Sequence, residues 1–552
     1  MKRDLKAMAG AVHDILVIGG GIAGAAIAWD AALRGLRVAL VEKGDFSHAT
    51  SAASSKLLHG GLRYLRQGKL ALVRQSLRER RIWGRIAPHM VAPLAFLIPV
   101  YGARAGEAWL LRLGLSLYDA LALDRNWGVH PDKKLARHRR LSPAATLSLA
   151  PYLAREGLRG GFVYHDCQMH APERLALECL LGAAALGAGI ANYAEALDFV
   201  LEDGGVGGAL VRDRLTGAEY PLRARLTINA AGPWADMVAR WGSGDDAAPR
   251  LMRSKGIHLI TPRLHGPLAV ALQAEGRHFF LLPWRGATII GTTDSLFAGS
   301  PDEVGVSEAD IAGLLDLVNR TLPAARLTRG DIAAFYAGLR PLVDADNAAA
   351  KANAQSYDAS RAAEIIDHEA GGGQRGLISA LGGKWTTARH VAEKVVDLVV
   401  AKGVGGGKRP CRTAITPLWA GATGRFDQFA ARALAKHQGW PAPVIHHLTR
   451  TYGARYEEVL GLAAADAALR APLAEGLPEM GAQIVHGVRH EQAVMLEDVL
   501  FRRTGLCALG PPGDASIARA AAIMASARGW DQAETRRQID AAQRRFATVE
   551  AT

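Results

Sequence analysis

The stretch ILVIGGGIAGAAIAWDAALRGLRVALVE, residues 15–42, sets three successive glycines between an apolar run and an alanine-rich segment. Ile15–Ile18 reads as a short strand buried on both faces, since the run lacks polar alternation and ends in glycine. Apolar residues at helical spacing from Gly24 to Leu33, stopped by Arg34 and Gly35, predict a helix. Val38–Val41 reads as a second buried strand, closing on Glu42. Gly19, Gly21 and Gly24 then hold the positions of a dinucleotide-binding G-x-G-x-x-G, with Gly20 inside it. Gly19 permits the tight turn, Gly21 lets backbone approach a pyrophosphate, and Gly24 lets helix and strand pack closely. The start of the helix offers free N–H groups and partial positive charge to the phosphates. Glu42 lies 18 residues past Gly24, where a carboxylate accepts bonds from ribose hydroxyls. Strand, helix and acid together favour a dinucleotide site over a glycine-rich turn in an unrelated α/β domain.

The chain around this unit has 552 residues, enough for two or three domains, and is 49% hydrophobic and 22% charged. That composition describes a globular protein rather than a disordered one. Cys167, Cys179, Cys411 and Cys507 lie far apart, so neither a disulfide framework nor a metal site is read, and a reducing compartment is expected. The first residues are basic without an apolar run, which argues against a secretory signal. No uninterrupted apolar stretch reaches the ~18 residues of a spanning helix. A net charge of +13 fits a solvated basic surface, anionic lipid or an anionic substrate; no nucleic-acid motif accompanies it.

Further along, 78–85 and 107–123 read as helices, 188–229 as a strand meander, and 256–294 as sheet. INAAGPWAD and ISALGGKWTTAR (228–236, 378–389) each give a buried strand, a glycine turn and a helix start, so the nucleotide domain is completed late in the chain. Such interruption suits FAD better than NAD, although composition alone does not separate them. Residues 402–410 have linker composition, and 424–546 read as almost wholly helical.

The motifs VIGGGIAGAAIAWDAALRG, HATSAASSKLLHGGLRYL, INAAGPWAD, LPWRGATIIGTTD, YAGLRPL and LGGKWTTAR, in this order from about residue 14 to 395, resemble the FAD-dependent respiratory sn-glycerol-3-phosphate dehydrogenases. The helical tail is similar to that family's last domain. The resemblance implies a glutathione-reductase-type FAD-binding domain interleaved with an antiparallel-sheet substrate domain over 11–408, the substrate part near 90–150 and 236–335, then a helical domain over 409–552. It implies oxidation of glycerol 3-phosphate to dihydroxyacetone phosphate. Electrons would pass to ubiquinone or menaquinone, by a cytoplasmic protein attached peripherally to the anionic inner face of the cell membrane. A homodimer is left open. The alternatives kept are an oxidase using O2, a related FAD amine oxidase, and a non-catalytic FAD-stabilised binding protein.

Residue by residue, the resemblance places Gly19, Gly20, Gly21, Gly24, Glu42, Lys43, Thr50, Ser51, Ser54, Ser55, Gly232, Gly383, Lys384 and Thr386 at the flavin cofactor. The serines have a plainer reading too, as a loop capping the next helix. Arg63, Tyr64, His258, Arg340 and Lys384 are implied at substrate, with His258, Arg340 and Lys384 in catalysis. Guanidinium groups grip a phosphate dianion bidentately, a cation beside the flavin stabilises charge as the ring is reduced, and His258 is the first candidate base. Taken alone, a lone arginine is ordinarily solvated and a histidine in an apolar strand is ordinarily core.

Two departures stand out. DCQMHAPERL (166–175) replaces the family's DCxVDDARL, and GGKWTT replaces GGKLTT, which is expected to put Trp385 near the flavin edge. The basic and apolar stretch 74–121, with Trp83, Phe96 and Trp109 as interfacial anchors, is one candidate for membrane contact; an ordinary surface whose apolar side faces the core is the other.

Overall fold

The computed structural model describes residues 1–102, 105–241, 251–264, 266–274, 276–343, 363–406 and 409–550. Strand Val12–Ile18 lies at the centre of the first sheet, parallel to Glu219–Asn229 on one side and to Val38–Val41 on the other. Gly189–Ala191 extends the sheet beyond Val38–Val41, and Leu377–Gly382 with its antiparallel neighbour Ala363–Asp367 extends it beyond Glu219–Asn229. Period-two alternation sends Ile15 and Val17 to one face and Leu16 and Ile18 to the other. Ile15 and Val17 join a core with helices Ile22–Leu33, Pro172–Ala185 and Ala388–Ala401. Leu16 and Ile18 pack instead against the antiparallel meander of Ala194–Glu202 and Gly205–Asp213. Burial on both faces is why the strand has no polar position after Asp14.

A second, mainly antiparallel sheet runs through Leu251–Thr261, Ala287–Gly291, Arg277–Trp284, Ala269–Ala274, Val91–Tyr101 and Leu158–Met169. Ala334–Val343 pairs with Leu251–Thr261 across its whole length and places Tyr336 opposite His258 and Arg340 opposite Ser254. The two sheets thus alternate along the chain. After residue 409 come helices Phe426–Lys436, Ala442–Tyr452, Tyr456–Ala465, Gly481–His490, Asp514–Arg528 and Gln532–Arg544, around two apolar cores of their own.

A buried ionic knot ties the helical part to the loop after Glu42. Asp45 accepts from Arg502 Nε at 2.5 Å and from both Arg503 terminal nitrogens at 2.9 and 2.8 Å. All three side chains are almost inaccessible to solvent. Arg502 continues to Asp498, which also accepts from Tyr193 Oη at 2.6 Å.

The expected helix at 78–85 is part of Leu70–Ile86, and the one expected at 107–123 is Ala105–Leu121, which ends two residues earlier. Their surfaces correct the reading of 74–121. Arg80 is buried against Asp166, and Arg74 and Arg81 are paired with Asp124. Trp83 and Phe96 are core residues, since Trp83 faces Trp385 and Phe96 stacks on Tyr164, so neither is an interfacial anchor. The Ala105–Leu121 helix does the reverse: Trp109 and Leu110 are each 62% exposed, and Leu113 and Leu117 are exposed beside them.

Candidate active site

The glycine turn divides into glycines the fold needs and one that a ligand needs. A Cβ on Gly24 would sit 1.9 Å from the Gly19 carbonyl oxygen, and one on Gly19, whose φ is +111°, 2.5 Å from Ala230 O. A Cβ on Gly21 would meet only Ser51 Oγ, at 3.1 Å, and Gly21 lines the cavity. Gly21→Val is therefore expected to fold and to purify colourless, because the added side chain fills space reserved for a pyrophosphate. Gly24→Ala is expected not to accumulate as folded protein, because backbone atoms cannot yield that distance. Absorbance of the purified proteins and their thermal unfolding check both outcomes.

The cavity, of about 2050 Å³, runs between the two sheets and is lined by every residue expected at cofactor or substrate except Gly20 and Gly24, which lie beneath it. Glu42 closes the turn from inside: its Oε2 accepts from Gly20 N at 2.7 Å and its Oε1 from Gly44 N at 2.9 Å. Ser51 Oγ accepts from Ile22 N at 2.9 Å, so it does act on the helix start, though on the preceding helix rather than the following one. Thr50 Oγ1 donates to Leu339 O at 2.7 Å, fastening the serine loop to the second sheet. Lys43 Nζ lies over the Trp234 ring, 4.0 Å from its centroid, and pairs with Asp302 at 2.5 Å. Ser54 O accepts from Tyr336 Oη, and Thr386 Oγ1 accepts from His59 N. Gly232 and Gly383 have φ of +57° and +90°, which makes each a glycine position by backbone alone. The donor set fits FAD: an open glycine at a helix start, hydroxyls along one loop, and an acid beside the turn.

The cations expected at substrate line the same cavity. Arg340 Nη1 donates to Ser254 Oγ at 3.0 Å, and Nη2 donates to Thr292 Oγ1 at 2.7 Å and Thr293 O at 3.0 Å. Asp294 lies 3.9 Å from the guanidinium and accepts from Ser254 Oγ at 2.6 Å. Arg63 lies over the Tyr64 ring, and Lys384 Nζ stands 4.7 Å from that ring's centroid while donating to Ser76 Oγ at 2.5 Å. His258 stacks on Tyr336, with ring centroids 4.8 Å apart, and its Nε2 lies 2.8 Å from Ser55 Oγ. Burial, then the charges of Arg340 and Lys56, hold the imidazole well below its ordinary pKa, so it is neutral near pH 7.

Sequence reasoning missed the groups that aim these side chains: Ser254, Thr292, Thr293 and Asp294 around Arg340, Ser76 beneath Lys384, and Tyr336 against His258. IIGTTD was a visible signal for the threonines and aspartate and YAGLRPL for Tyr336, while Ser254 and Ser76 carried none. The departing segment 166–175 turns out to be scaffold. Asp166 accepts from Tyr118 Oη at 2.9 Å and Gly60 N at 3.2 Å, besides Arg80, and so holds the loop before Arg63. Trp385 packs on Trp83, donates from Nε1 to Ser51 O at 3.3 Å and lines the cavity.

Comparison with known proteins agrees with this geometry. Residues 14–389 match the family model described as FAD dependent oxidoreductase, and 411–535 match the C-terminal domain of alpha-glycerophosphate oxidase. The chain is 35% identical to the glycerol-3-phosphate dehydrogenase of Synechocystis, over 96% of this chain and 95% of that protein. It is 34% identical to the aerobic glycerol-3-phosphate dehydrogenase of Staphylococcus aureus, over 89% and 86%. The crystal structure of the glycerol-3-phosphate dehydrogenase from Bacillus halodurans complexed with FAD superposes with a TM-score of 0.77 at 30% identity, covering 98% of this chain and 96% of that one. The glycine turn, the open cradle at Gly21 and these matches along nearly the whole length agree, and the chain belongs to the FAD-dependent glycerol-3-phosphate dehydrogenase family.

Proposed function

We propose that this protein oxidises sn-glycerol 3-phosphate to dihydroxyacetone phosphate and passes the electrons to a membrane quinone, ubiquinone or menaquinone. The observation that carries the reading is one cavity lined by Arg63, Arg340, Lys384 and His258 together with the cofactor loops. FAD, held by Gly21, Glu42 and the Thr50–Ser55 loop, supplies the hydride acceptor. Arg63 and Arg340 bind the phosphate, since fixed guanidinium forks match its oxygens. Their hydrogen bonds to Tyr64, Ser254 and Thr292 leave little rotamer freedom to lose on binding. His258 lines the cavity with its Nε2 2.8 Å from Ser55 Oγ and takes the hydroxyl proton, as a neutral imidazole can. Lys384 stabilises the negative charge that develops beside it.

Anaerobic titration of the purified yellow protein with glycerol 3-phosphate tests the reading. Bleaching of the flavin band near ~450 nm is expected, with turnover far faster on a quinone-type dye than on O2. An unbleached spectrum at full flavin occupancy overturns the substrate, and faster turnover on O2 favours the oxidase alternative.

A quinone acceptor calls for membrane contact at the inner face of the cell membrane, and no helix among the described residues is long and apolar enough to cross a bilayer. The Ala105–Leu121 helix supports peripheral attachment. Leu110, Leu113 and Leu117 line the mouth of the cavity and are exposed together with Trp109. An exposed apolar stripe of this size serves an interface. Trp109→Gln with Leu113→Gln is expected to weaken flotation with anionic vesicles about tenfold or more, from the apolar area lost. Charge reversal at Arg80 is expected to unfold the chain instead, because it leaves Asp166 facing a buried like charge.

A further inference from the structure

Lys56 is buried behind the candidate site and does not line the cavity. Its Nζ donates to Ala52 O at 2.6 Å and lies 5.0 Å from the centroid of the Tyr336 ring and 5.3 Å from that of Trp284. Glu173 Oε2 is 3.9 Å away, and this carboxylate oxygen has no hydrogen-bond partner. Tyr336 is clamped from two sides: its hydroxyl donates to Ser54 O at 2.9 Å, and its ring lies on His258 at an interplanar angle of 18°. The pair stands directly across two antiparallel strands, where side chains are held closest. An aromatic ring with a cation over it and an imidazole stacked on it connects Lys56 to His258 without either touching the other.

We propose that Lys56, acting across the Tyr336 ring, adds to burial and to Arg340 in keeping the His258 imidazole in its neutral, proton-accepting form, and that Glu173 sets how much of the lysine's charge is felt there. This makes Lys56 a positioning residue rather than a catalytic one, and it rests on the reading of His258 as the base. The charges around His258 are few. Arg340, countered by Asp294, faces it within its own sheet; Ser55 reaches it from the serine loop; Tyr336 covers its ring; Lys56 and Glu173 lie behind Tyr336. Burial opposes the charged form of Lys56, and the Glu173 carboxylate favours it. A lysine cation in a medium of low permittivity opposes protonation of an imidazole several ångströms away, since neither charge is screened by water. The aromatic ring fixes that separation.

The test is the NMR titration of His258 in the FAD-loaded enzyme, with the resonance assigned through His258→Asn. Lys56→Met is expected to move the titration upward by about half a pH unit or more. Lys56→Arg is expected to restore the wild-type curve. An unmoved titration in Lys56→Met at full flavin occupancy overturns the proposal. If Lys56→Met does not fold, Lys56→Gln decides on the same readout. The acid limb of kcat/KM separates this proposal from the reading beneath it. A limb that moves with the titration supports both. A titration that moves while the limb stays still leaves Lys56 in its role and removes His258 from the role of base.

Discussion

Arg340→Ala is expected to lower kcat/KM for glycerol 3-phosphate by about 2–5 kcal/mol, roughly thirty-fold to several thousand-fold, the range for removing one partner of a buried charge pair. The guanidinium is anchored by Ser254, Thr292 and the Thr293 carbonyl, with Asp294 behind it, so it meets a dianion already oriented. Removing it leaves Asp294 without that cation beside the phosphate subsite, and the repulsion adds to the loss. Unphosphorylated glycerol makes no demand on the guanidinium and should lose much less. Arg340→Lys should recover part of the activity, because the charge returns without the planar fork. Steady-state kinetics on the two substrates measures the difference. Equal losses on both would assign Arg340 to the fold or the flavin instead.

Asp45→Ala is expected to destabilise the protein by about 3–5 kcal/mol, the cost of stranding buried charge. Two guanidinium groups, Arg502 and Arg503, converge on this carboxylate in a region closed to water. With the aspartate gone, Arg503 retains Glu491, through its carbonyl and a carboxylate oxygen 3.7 Å away, and Arg502 retains Asp498, but the two guanidinium groups lose the one carboxylate they share. The loss should appear at the cofactor as well, because Asp45 follows Glu42 and Gly44 in the loop that closes the glycine turn. Thermal unfolding and the rate of FAD release should therefore change together. Pairing the substitution with Arg503→Met should restore part of the stability, since it removes one of the stranded cations. A stable Asp45→Ala protein with unchanged FAD release would show that the helical domain leaves the cofactor loop unaffected.

Local rules made much of the molecule legible. The strand, turn and helix of residues 15–42 follow from apolar runs, glycine freedom and the spacing to Glu42, each a property of neighbouring residues. Six quoted motifs marked the lining of a single cavity, because short loops that touch a ligand tolerate few residue types. The Ala105–Leu121 helix shows where such reading stops. Its spacing of Trp109, Leu110, Leu113 and Leu117 identifies an apolar stripe, yet spacing does not say what covers a stripe, and here no part of the described chain does. The arginines of Leu70–Ile86 looked like a basic surface, whereas Arg80 and Arg81 turn inward to Asp166 and Asp124. What the sequence by itself determined is the FAD-binding unit and the kinds of side chain the site would use. Only the tertiary structure decided which groups aim them: Asp294 and Thr292 at Arg340, Ser76 at Lys384, and Tyr336 and Lys56 at His258. Those partners lie dozens to hundreds of residues apart, and electrostatic and hydrogen-bond terms depend on distances and burial that exist only once the two sheets have closed on each other.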